Sequence, residues 1–442
     1  MSSIPCPLKL QSPRQPGRPV LLGYSGGMDS SVLLHLLAAD EGIRAGGLRA
    51  IHVHHGLHAD ADAWAAHCQR ECDALGVPLQ VVRVAVERDA GLGLEGAARK
   101  ARHAAFVASM VGGEILALAH HLDDQAETFL LRALRGSGVD GLAGMCAWRA
   151  YPPGWLWRPL LDQPRTALTR YAAEHRLGWV EDPSNASITA DRNLLRNQIL
   201  PALRERWPAA TSALAGSAAL CAQASALLAD EDAACLAQCS VASASTGAVP
   251  DPALLSVAAL RSLPEPRRAR VLRLWVATLG LPPLPARAIT RIESELLPAH
   301  VDAQPSCDWS GVRIERWRDL LHADRIRPLL PPDWTQSWTG ESPLALPDGG
   351  RLALIGADKF DAPLQVRARR GGERITLPGR RHSHALKHLL QDAAIPPWRR
   401  VHLPLLFDGD GELMAAGDRI VSARLQAWLE PRGARLQWAC VA

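Results

Sequence analysis

The chain has 442 residues, of which 48% are hydrophobic and 21% charged, and its formal net charge is +4. This composition excludes a disordered or fibrous chain, and the length predicts two or three domains that each bury a core. We also expect no membrane span and no signal peptide, because we find no stretch of about 18 apolar residues and residues 1–19 lack an apolar core. A cytoplasmic location follows as an expectation.

The first motif is a glycine turn between an apolar strand, residues 19–22, and an apolar helix-like stretch, residues 32–37. The turn contains Ser25, Gly26, Gly27, Met28, Asp29 and Ser30. Glycines at a strand-to-helix junction let backbone N–H groups approach an anion, and the helix N-terminus adds positive potential. The turn therefore predicts a phosphate site, although an ordinary turn with Ser and Asp helix caps has the same pattern.

Asp29 distinguishes this turn from a Walker A loop, in which a lysine follows the glycines. An acid beside phosphates implies a metal ion, and Mg²⁺ typically takes one or two carboxylates together with phosphate oxygens. The Ser-Gly-Gly-x-Asp-Ser pattern resembles the PP-loop of the ATP pyrophosphatases, which split ATP between its α and β phosphates. This resemblance implies that Ser25 to Ser30 bind ATP and that Asp29 holds Mg²⁺.

The next hundred residues alternate between short apolar runs and helical patterns. Strands are predicted at 48–54, 78–84 and 114–119, and helices at 59–75, 94–111 and 123–135. Such alternation predicts an α/β domain with a doubly wound parallel sheet, whose ligands bind beyond the carboxyl ends of the strands.

Polar clusters follow two of these strands. His52, His54, His55 and His58 lie at the end of the second strand and just beyond it, and they could be metal ligands, base contacts or simple turn residues. His120, Asp123 and Asp124 follow the fourth strand, where the acids could cap a helix, hold Mg²⁺ or orient a nucleophile. Between the clusters, Arg99 and Arg102 share one helix face and are either solvated or a phosphate clamp.

The second half of the chain is more basic and more irregular. A helix is predicted at 191–207, a long Ala-rich helix at 208–237, a linker at 240–250 and a basic amphipathic helix at 266–275. Short runs at 351–354, 364–368 and 413–416 indicate strands, and Arg369, Arg370 and Arg374 surround a glycine turn. Arginines beside Trp398 suit RNA, although a basic surface with a buried tryptophan has the same composition.

Taken together, these stretches resemble the tRNA(Ile)-lysidine synthase family, which converts the wobble cytidine of a minor isoleucine tRNA to lysidine. The matches are residues 25–30, 52–57, 95–102, 120–128, 135–142, 158–161, 181–185 and 192–201, with weaker similarity across 369–398. His58 and His103 depart from the family pattern and receive no role. The resemblance implies a PP-loop domain at 1–207, a small helical tRNA-binding domain at 208–327 and a C-terminal α+β tRNA-binding domain at 328–442.

The resemblance also implies a two-step reaction with ATP, Mg²⁺, L-lysine and the isoleucine tRNA that has a CAU anticodon. ATP adenylates the wobble cytosine, and the ε-amine of lysine then displaces AMP. The implied catalytic residues are Asp29, Asp124, His120, Arg99 and Arg102, with Asp29 and Asp124 at the metal. Arg192, Asn193, Arg196, Arg369, Arg370 and Arg374 are the implied tRNA contacts, and a homodimer is one of the expected assemblies.

Two other functions remain as alternatives at this point. A PP-loop tRNA thiolase would need paired cysteines, but the nine cysteines are scattered and none form Cys-x-x-Cys. A nucleotide-binding RNA chaperone without chemistry would share the basic module. Pyrophosphate release that depends on tRNA and lysine separates the three.

Overall fold

The computed structural model of the chain describes residues 8, 10–86, 93–186, 190–242 and 250–439. These residues form two compact units, Met1–Ala229 and Asp230–Ala442. The predicted linker at 240–250 lies partly outside the described residues, and strands begin or end at both of its edges. The three domain boundaries expected from the sequence stay a prediction.

The first unit is built on one six-stranded sheet. Its strands are β1 (Val20–Gly23), β2 (Leu48–His54), β3 (Leu79–Arg83), β4 (Ile115–Ala117), β5 (Trp148–Tyr151) and β6 (Gly154–Trp157). The order is β3-β2-β1-β4-β6-β5, and every pair is parallel except the β5–β6 hairpin at the edge. The predicted doubly wound parallel sheet is confirmed, whereas the antiparallel hairpin was not predicted.

Helices cover this sheet and continue beyond it. They are α1 (Met28–Ala39), α2 (Glu41–Gly46), α3 (Ala61–Ala74), α4 (Gly93–Ser109), α5 (Leu122–Ala133), α6 (Val139–Leu142), α7 (Arg165–Glu174), α8 (Asp191–Leu194), α9 (Leu200–Arg206) and α10 (Ala210–Cys239). A π-helical turn, Leu195–Ile199, joins α8 to α9, so the predicted helix at 191–207 is continuous but locally widened. Such turns are common at functional sites.

The core of the first unit lies on both faces of the sheet because its parallel strands are apolar along their whole length. Leu22, Val32 and Ile115 pack on one face, and Leu21, Ile51 and Leu116 pack on the other. Since β1, β2, β4 and β6 are parallel, the segments that follow them meet at one edge of the sheet. That edge carries the polar clusters noted in the sequence.

Helix α10 corrects one sequence-based expectation. Its length and apolar composition are sufficient to cross a membrane, although we expected no such stretch. Alanine and leucine give this helix its apolar composition, and serine, threonine and glutamine side chains are interspersed among them. By itself this feature is weak evidence for a membrane span.

The described residues of the second unit form four sheets. A five-stranded sheet is formed by β7 (Ser240–Ala242), β8 (Pro250–Ser256), β9 (Ser306–Trp309), β10 (Val312–Trp317) and β11 (Leu320–Arg325), in the order β7-β8-β11-β10-β9. Helices α11 (Val257–Ser262), α12 (Glu265–Thr278) and α13 (Ala286–Arg291), with the π turn Ile292–Leu296, pack on it. The segment expected to be a small helical domain therefore also holds an antiparallel sheet.

The C-terminal part is α+β, as predicted. Its strands are β12 (Thr335–Trp338), β13 (Leu344–Ala345), β14 (Arg351–Ile355), β15 (Leu364–Arg367), β16 (Arg374–Ile375), β17 (His384–Ala385), β18 (Leu405–Phe407), β19 (Leu413–Ala416), β20 (Ile420–Val421) and β21 (Arg435–Ala439). Its helices are α14 (Leu386–Asp392), α15 (Pro397–Arg400) and α16 (Ala423–Leu429). The strands form sheets in the orders β12-β15-β18-β19-β20, β13-β14-β21 and β16-β17.

Candidate active site

The loop between β1 and α1 has a conformation that depends on glycine. Gly26 has a φ of +83°, and a Cβ atom there would lie 2.8 Å from Sγ of the buried Cys68. Glycine alone tolerates this left-handed conformation in so little space. Gly27 is the N-cap residue of α1, and its carbonyl oxygen accepts hydrogen bonds from Ser31 N and Ser30 Oγ. The loop therefore places the first turn of α1 at the edge of the sheet, where it can bind an anion.

Hydrogen bonds of two serine hydroxyl groups stabilise the conformation of the loop. Ser25 Oγ lies 3.0 Å from Ser30 Oγ, and Gly27 N donates to Ser25 Oγ at 3.4 Å. Met28 Sδ accepts a weak hydrogen bond from Thr169 on α7 at 3.7 Å. The six residues expected to bind ATP thus form one continuous turn, and their contact with the nucleotide stays a prediction.

Asp29 lies in the first turn of α1 and faces a histidine and an arginine side chain. Its Oδ2 atom is 3.6 Å from Nε2 of His121, and its Oδ1 atom is 3.9 Å from Nε of Arg165. Oδ1 is buried and has no hydrogen-bond partner among the described residues. A carboxylate oxygen in this state has capacity for another ligand.

His121 connects Asp29 to the helix that carries the acidic cluster. It is the N-cap residue of α5, where its Nδ1 accepts from Asp124 N at 3.4 Å and its own N–H donates to Asp124 Oδ2 at 3.0 Å. Burial acts to lower the pKa of His121, but the carboxylates of Asp29, Asp124 and Asp123 raise it above its ordinary value. The capping box and this charge cluster fix the start of α5 beside the phosphate loop.

Two carboxylates on α5 share two arginines from the helix that begins at Asp191. Arg192 donates to Glu127 Oε2 at 2.7 Å and to Asp124 Oδ1 at 3.1 Å. Arg196 donates to Glu127 Oε1 at 2.7 Å and to Asp124 Oδ1 at 2.8 Å. The side chain of Glu127 is only 1% exposed, so this is a nearly dry ion-pair network.

Asp124 is ionised within this network. Burial acts to raise its pKa, but His121, Arg192 and the other nearby cations lower the pKa to about 2. Both of its oxygens are engaged, Oδ2 by the cap of α5 and Oδ1 by the two guanidinium groups. Asp124 can therefore orient a cation only if that cation displaces or joins the arginines.

Arg99 and Arg102 lie on α4 and belong to a cluster of like charges. Burial lowers the pKa of both guanidinium groups, and Arg192 and other arginines lower it further. Neither side chain has an ion pair or hydrogen bond to another of the residues that the structure describes. Concentrated positive charge without carboxylate partners suits a phosphate-bearing ligand.

His120 is held as a neutral imidazole. Arg158 Nε donates to its Nδ1 at 3.2 Å, so the ring proton resides on Nε2. Burial lowers the pKa of His120 to about 3, and the nearby arginines contribute to this. His120 can donate a hydrogen bond through Nε2 at neutral pH, but it is not a general acid.

Among the histidines at the end of β2, His52 and His54 have polar neighbours, whereas the buried Nδ1 atom of His55 has no hydrogen-bond partner among the described residues. His52 Nδ1 lies 3.0 Å from Tyr24 O, and His54 Nε2 lies 3.2 Å from Asp62 Oδ1. Among the described residues, no group of three or more His, Cys, Asp or Glu side chains could hold a metal ion. These contacts favour the structural interpretation of this cluster.

Asp29 and Asp124 differ in their suitability for Mg²⁺. Asp29 Oδ1 lies beside the phosphate loop and has no hydrogen-bond partner among the described residues, which fits an ion that is held mainly by phosphate oxygens and one carboxylate. Asp124 Oδ1 is occupied by two guanidinium groups. The donor set thus fits the ion at Asp29 better than at Asp124.

The residues expected to contact tRNA fall into both units. Arg192 and Arg196 face the α5 carboxylates, and Asn193 Nδ2 donates to Ser184 O at 3.0 Å. In the second unit, Arg370 and Arg374 line a cavity of about 500 Å³ together with Arg367. Three arginines of α12, the helix predicted from the sequence to be basic and amphipathic, are paired with carboxylates. Arg267 and Arg270 pair with Asp232, and Arg268 pairs with Glu293.

The side chains at the C-terminal glycine turn are partly engaged by their own loop. Arg369 Nε lies 3.6 Å from Glu373 Oε2, and Arg374 donates to Ser383 Oγ at 3.0 Å. Glu373 Oε1 accepts from the backbone N of Arg370 and Gly371, both at 2.6 Å. The turn is thus held in shape while Arg370 and Arg374 stay exposed.

Sequence reasoning missed two residues of this site. Glu127 lies three residues after Asp124, and this spacing on a helix was a signal that both acids share one face. Arg165 reaches Asp29 from α7, and no local pattern indicated that contact.

Three family models match the chain. The PP-loop domain matches residues 7–203, the TilS substrate binding domain matches residues 255–322, and the TilS substrate C-terminal domain matches residues 364–438.

Several relatives are similar over nearly the full length. The tRNA(Ile)-lysidine synthase of Xanthomonas campestris pv. campestris (strain 8004) is 55% identical and covers 97% of each chain. That of Xanthomonas axonopodis pv. citri (strain 306) is 56% identical over 97% of this chain and 96% of its own. Among solved structures, the U34-tRNA thiolase NcsA from Methanococcus maripaludis is 20% identical, covers 47% of this chain and 73% of its own, and has a TM-score of 0.39.

Proposed function

The chain belongs to the tRNA(Ile)-lysidine synthase family, and on this premise we propose that it joins lysine to carbon 2 of the wobble cytidine in the isoleucine tRNA with a CAU anticodon. It is an ATP-dependent ligase that releases pyrophosphate and AMP. One observation carries the proposal most directly, namely that a phosphate loop and a buried pair of carboxylates share the bridging residue His121. An ATP site therefore adjoins a site that can orient an amine. A cytoplasmic location, where ATP and tRNA are both present, belongs to the same proposal.

In the first step, oxygen 2 of the cytosine attacks the α-phosphorus of ATP. A bond forms between this oxygen and phosphorus, and the bond to the bridging oxygen of the β-phosphate breaks, so pyrophosphate leaves. The turn from Ser25 to Ser30 binds the phosphates through backbone N–H groups and hydroxyl groups. Arg99 and Arg102 stabilise negative charge on the transferred phosphate, because neither forms an ion pair or hydrogen bond with a carboxylate among the described residues.

Asp29 holds Mg²⁺ at the phosphates. When bound, this ion neutralises charge on the phosphate oxygens. The lack of a hydrogen-bond partner for Asp29 Oδ1 among the described residues supports this role. Asp124 was the other expected ligand, but the two arginines on its Oδ1 atom favour a role with the amine substrate.

In the second step, the ε-amine of lysine attacks carbon 2 and AMP leaves. The amine must lose a proton before it can attack, and an ionised carboxylate can orient it and accept that proton. Asp124 and Glu127 provide the carboxylates, and His120 donates a hydrogen bond through Nε2. Arg192 and Arg196 occupy these carboxylates in the structure, so an incoming ammonium group competes with them.

Binding of tRNA explains how lysine can replace Arg192 and Arg196 at the carboxylates, and it gives a role to the basic turn in the second unit. A negatively charged tRNA phosphate or adenylate attracts Arg192 and Arg196, which would free Asp124 and Glu127 for lysine. Asn193 orders the same segment through Ser184. Arg369, Arg370 and Arg374 bind tRNA phosphates in the second unit, where Arg370 and Arg374 border a cavity.

The test measures transfer of labelled lysine to the isoleucine tRNA transcript with the CAU anticodon, together with pyrophosphate and AMP. We expect one pyrophosphate and one AMP per lysine incorporated, and no incorporation when the wobble cytidine is replaced by uridine. ATP consumption with sulfur incorporation would identify a thiolase instead, although Cys68 and Cys72 are buried and burial raises the pKa of each thiol to about 12. Binding of tRNA without pyrophosphate release would identify a chaperone.

A further inference from the structure

Arg165 stands at the mouth of the phosphate loop and has no role in the function described so far. It is the first residue of α7, and its Nε atom lies 3.9 Å from Asp29 Oδ1. The Arg165 side chain is 47% exposed, so the guanidinium can turn from Asp29 toward a ligand in the loop. It is also the only arginine or lysine paired with Asp29 among the residues that the structure describes.

The backbone of Arg165 is fixed from two directions. Its N–H donates to Asp123 Oδ2 at 2.8 Å, which ties the start of α7 to the start of α5. Further along α7, Tyr171 OH lies 2.9 Å from Nδ1 of His35 on α1. The main chain at Arg165 is therefore positioned by the same two helices that frame the phosphate site, while its side chain stays free to move.

The charges of the phosphate loop favour a cationic side chain at the position of Arg165. The turn from Ser25 to Ser30 contains an acid and no lysine or arginine, so it cannot by itself neutralise a triphosphate. When the α–β bond of ATP breaks, negative charge develops on the departing pyrophosphate. Arg99 and Arg102 share the surroundings of Arg192, whereas Arg165 forms an ion pair with Asp29.

We propose that Arg165 is a phosphate-binding residue that contacts the β- and γ-phosphates of ATP and stabilises the pyrophosphate as it leaves. This proposal rests on the ligase function above. Its ion pair with Asp29 then represents the nucleotide-free arrangement. On ATP binding, the guanidinium exchanges Asp29 for phosphate oxygens, which it can bind in bidentate fashion.

The experiment compares Arg165→Ala and Arg165→Lys with Arg170→Ala in the full-length protein. Arg170 lies on the same helix and forms only a surface pair with Glu174 at 3.9 Å, so it controls for loss of a cation from α7. Single-turnover formation of adenylated tRNA and inhibition by added pyrophosphate are measured first. Transfer of lysine to adenylated tRNA that was made by the parent enzyme and isolated is measured second.

We expect Arg165→Ala to slow adenylation by about 100-fold, comparable to loss of one transition-state hydrogen-bond donor in other enzymes. It should also weaken pyrophosphate inhibition and leave lysine transfer from isolated adenylated tRNA unchanged. Arg165→Lys should recover part of the pyrophosphate affinity because it keeps the charge, and Arg170→Ala should match the parent. A merely structural role would slow both steps together.

The proposal is overturned if Arg165→Ala adenylates tRNA and responds to pyrophosphate as Arg170→Ala does, or if both steps fall equally. Failure of the ligase function itself would look different, because the parent enzyme would then release no pyrophosphate with tRNA and lysine.

Discussion

At the scale of single residues, the site depends on which carboxylates have partners and which do not. Asp29 keeps one buried oxygen free of hydrogen bonds, whereas Asp124 is enclosed by a helix cap and two arginines. A carboxylate oxygen without a hydrogen-bond partner beside a phosphate loop can coordinate a hard cation such as Mg²⁺. A carboxylate that already binds guanidinium groups can bind an ammonium group in their place. The two acids therefore divide the proposed chemistry between them.

Asp29→Asn should abolish most adenylation, with a loss of at least about 100-fold in pyrophosphate release, because the neutral amide cannot hold Mg²⁺ at the phosphates. The affinity for tRNA should stay close to that of the parent, since Asp29 is not proposed to contact RNA. Asp162→Asn replaces an exposed aspartate of the same unit and serves as the matched control. Pyrophosphate release equal to that of the parent would contradict the assigned role.

Protonation of His322 makes the free energy of unfolding of the second unit depend on pH. Burial lowers its pKa to about 4, and its ring stacks on Trp398 with centroids 4.4 Å apart. The charged groups around it are Glu315, Asp324, Asp251, Arg399 and Arg327. Between about pH 6.5 and pH 4, the unfolded state binds a proton at this position and the folded state does not. The stabilisation is therefore complete above about pH 6.5 and is lost as the pH falls toward 4.

His322→Phe keeps an aromatic ring against Trp398 but removes the titration. Between pH 7 and pH 5, the free energy of unfolding of the parent should fall by on the order of 2 kcal/mol because of this group. The variant should not show this part of the decrease. Urea unfolding followed by tryptophan fluorescence at both pH values measures it. An identical pH dependence in the two proteins would show that His322 protonates without cost in the folded state.

At the scale of elements, the helix that runs from α8 through the π turn to α9 closes the acidic end of α5. Its Arg192 and Arg196 pair with Asp124 and Glu127, and Arg204 pairs with Asp123. Removing one partner from a buried ion-pair network leaves charges without compensation. The attachment of this whole helix should therefore be sensitive to a single carboxylate.

Glu127→Gln should loosen the segment 191–206 and raise its amide hydrogen exchange by about 10-fold or more, since both arginines lose a charged acceptor. The KM for lysine should rise while adenylation changes little. Glu174→Gln, in an exposed pair with Arg170, is the control for removal of a carboxylate. Unchanged exchange in this segment would mean that packing, rather than the ion pairs, holds the helix.

At the scale of the whole molecule, the net charge of +4 does not show which arginines are paired within the fold and which are exposed. Three arginines of α12 form ion pairs with Asp232 and Glu293 within the fold. Arg370 and Arg374 instead remain exposed beside a cavity. Exposed cations, rather than net charge, set the salt dependence of binding to a polyanion.

Replacing Arg369, Arg370 and Arg374 together with Ala should lower tRNA affinity and reduce the slope of log affinity against log salt by about two units, at about 0.7 per phosphate contact. Binding titrations at several salt concentrations measure the slope. Arg313→Ala, which removes a surface arginine paired with Asp308, should leave it unchanged. A lowered affinity with an unchanged slope would indicate a distorted turn at Gly371 and Gly372 instead of lost phosphate contacts.

The sequence by itself determined the parallel α/β architecture and the phosphate loop. Strand periodicity, helix caps and the glycine turn are local properties, so β1, β2, α1 and α5 could be predicted within a few residues. The antiparallel strands β9 to β11 were missed, because their pairing depends on neighbours distant in sequence. The tertiary structure alone decided that Glu127 shares Asp124's arginines and that Arg165 reaches Asp29 across more than a hundred residues. Such contacts depend on how helices pack around the sheet, and no local pattern of residues encodes that packing.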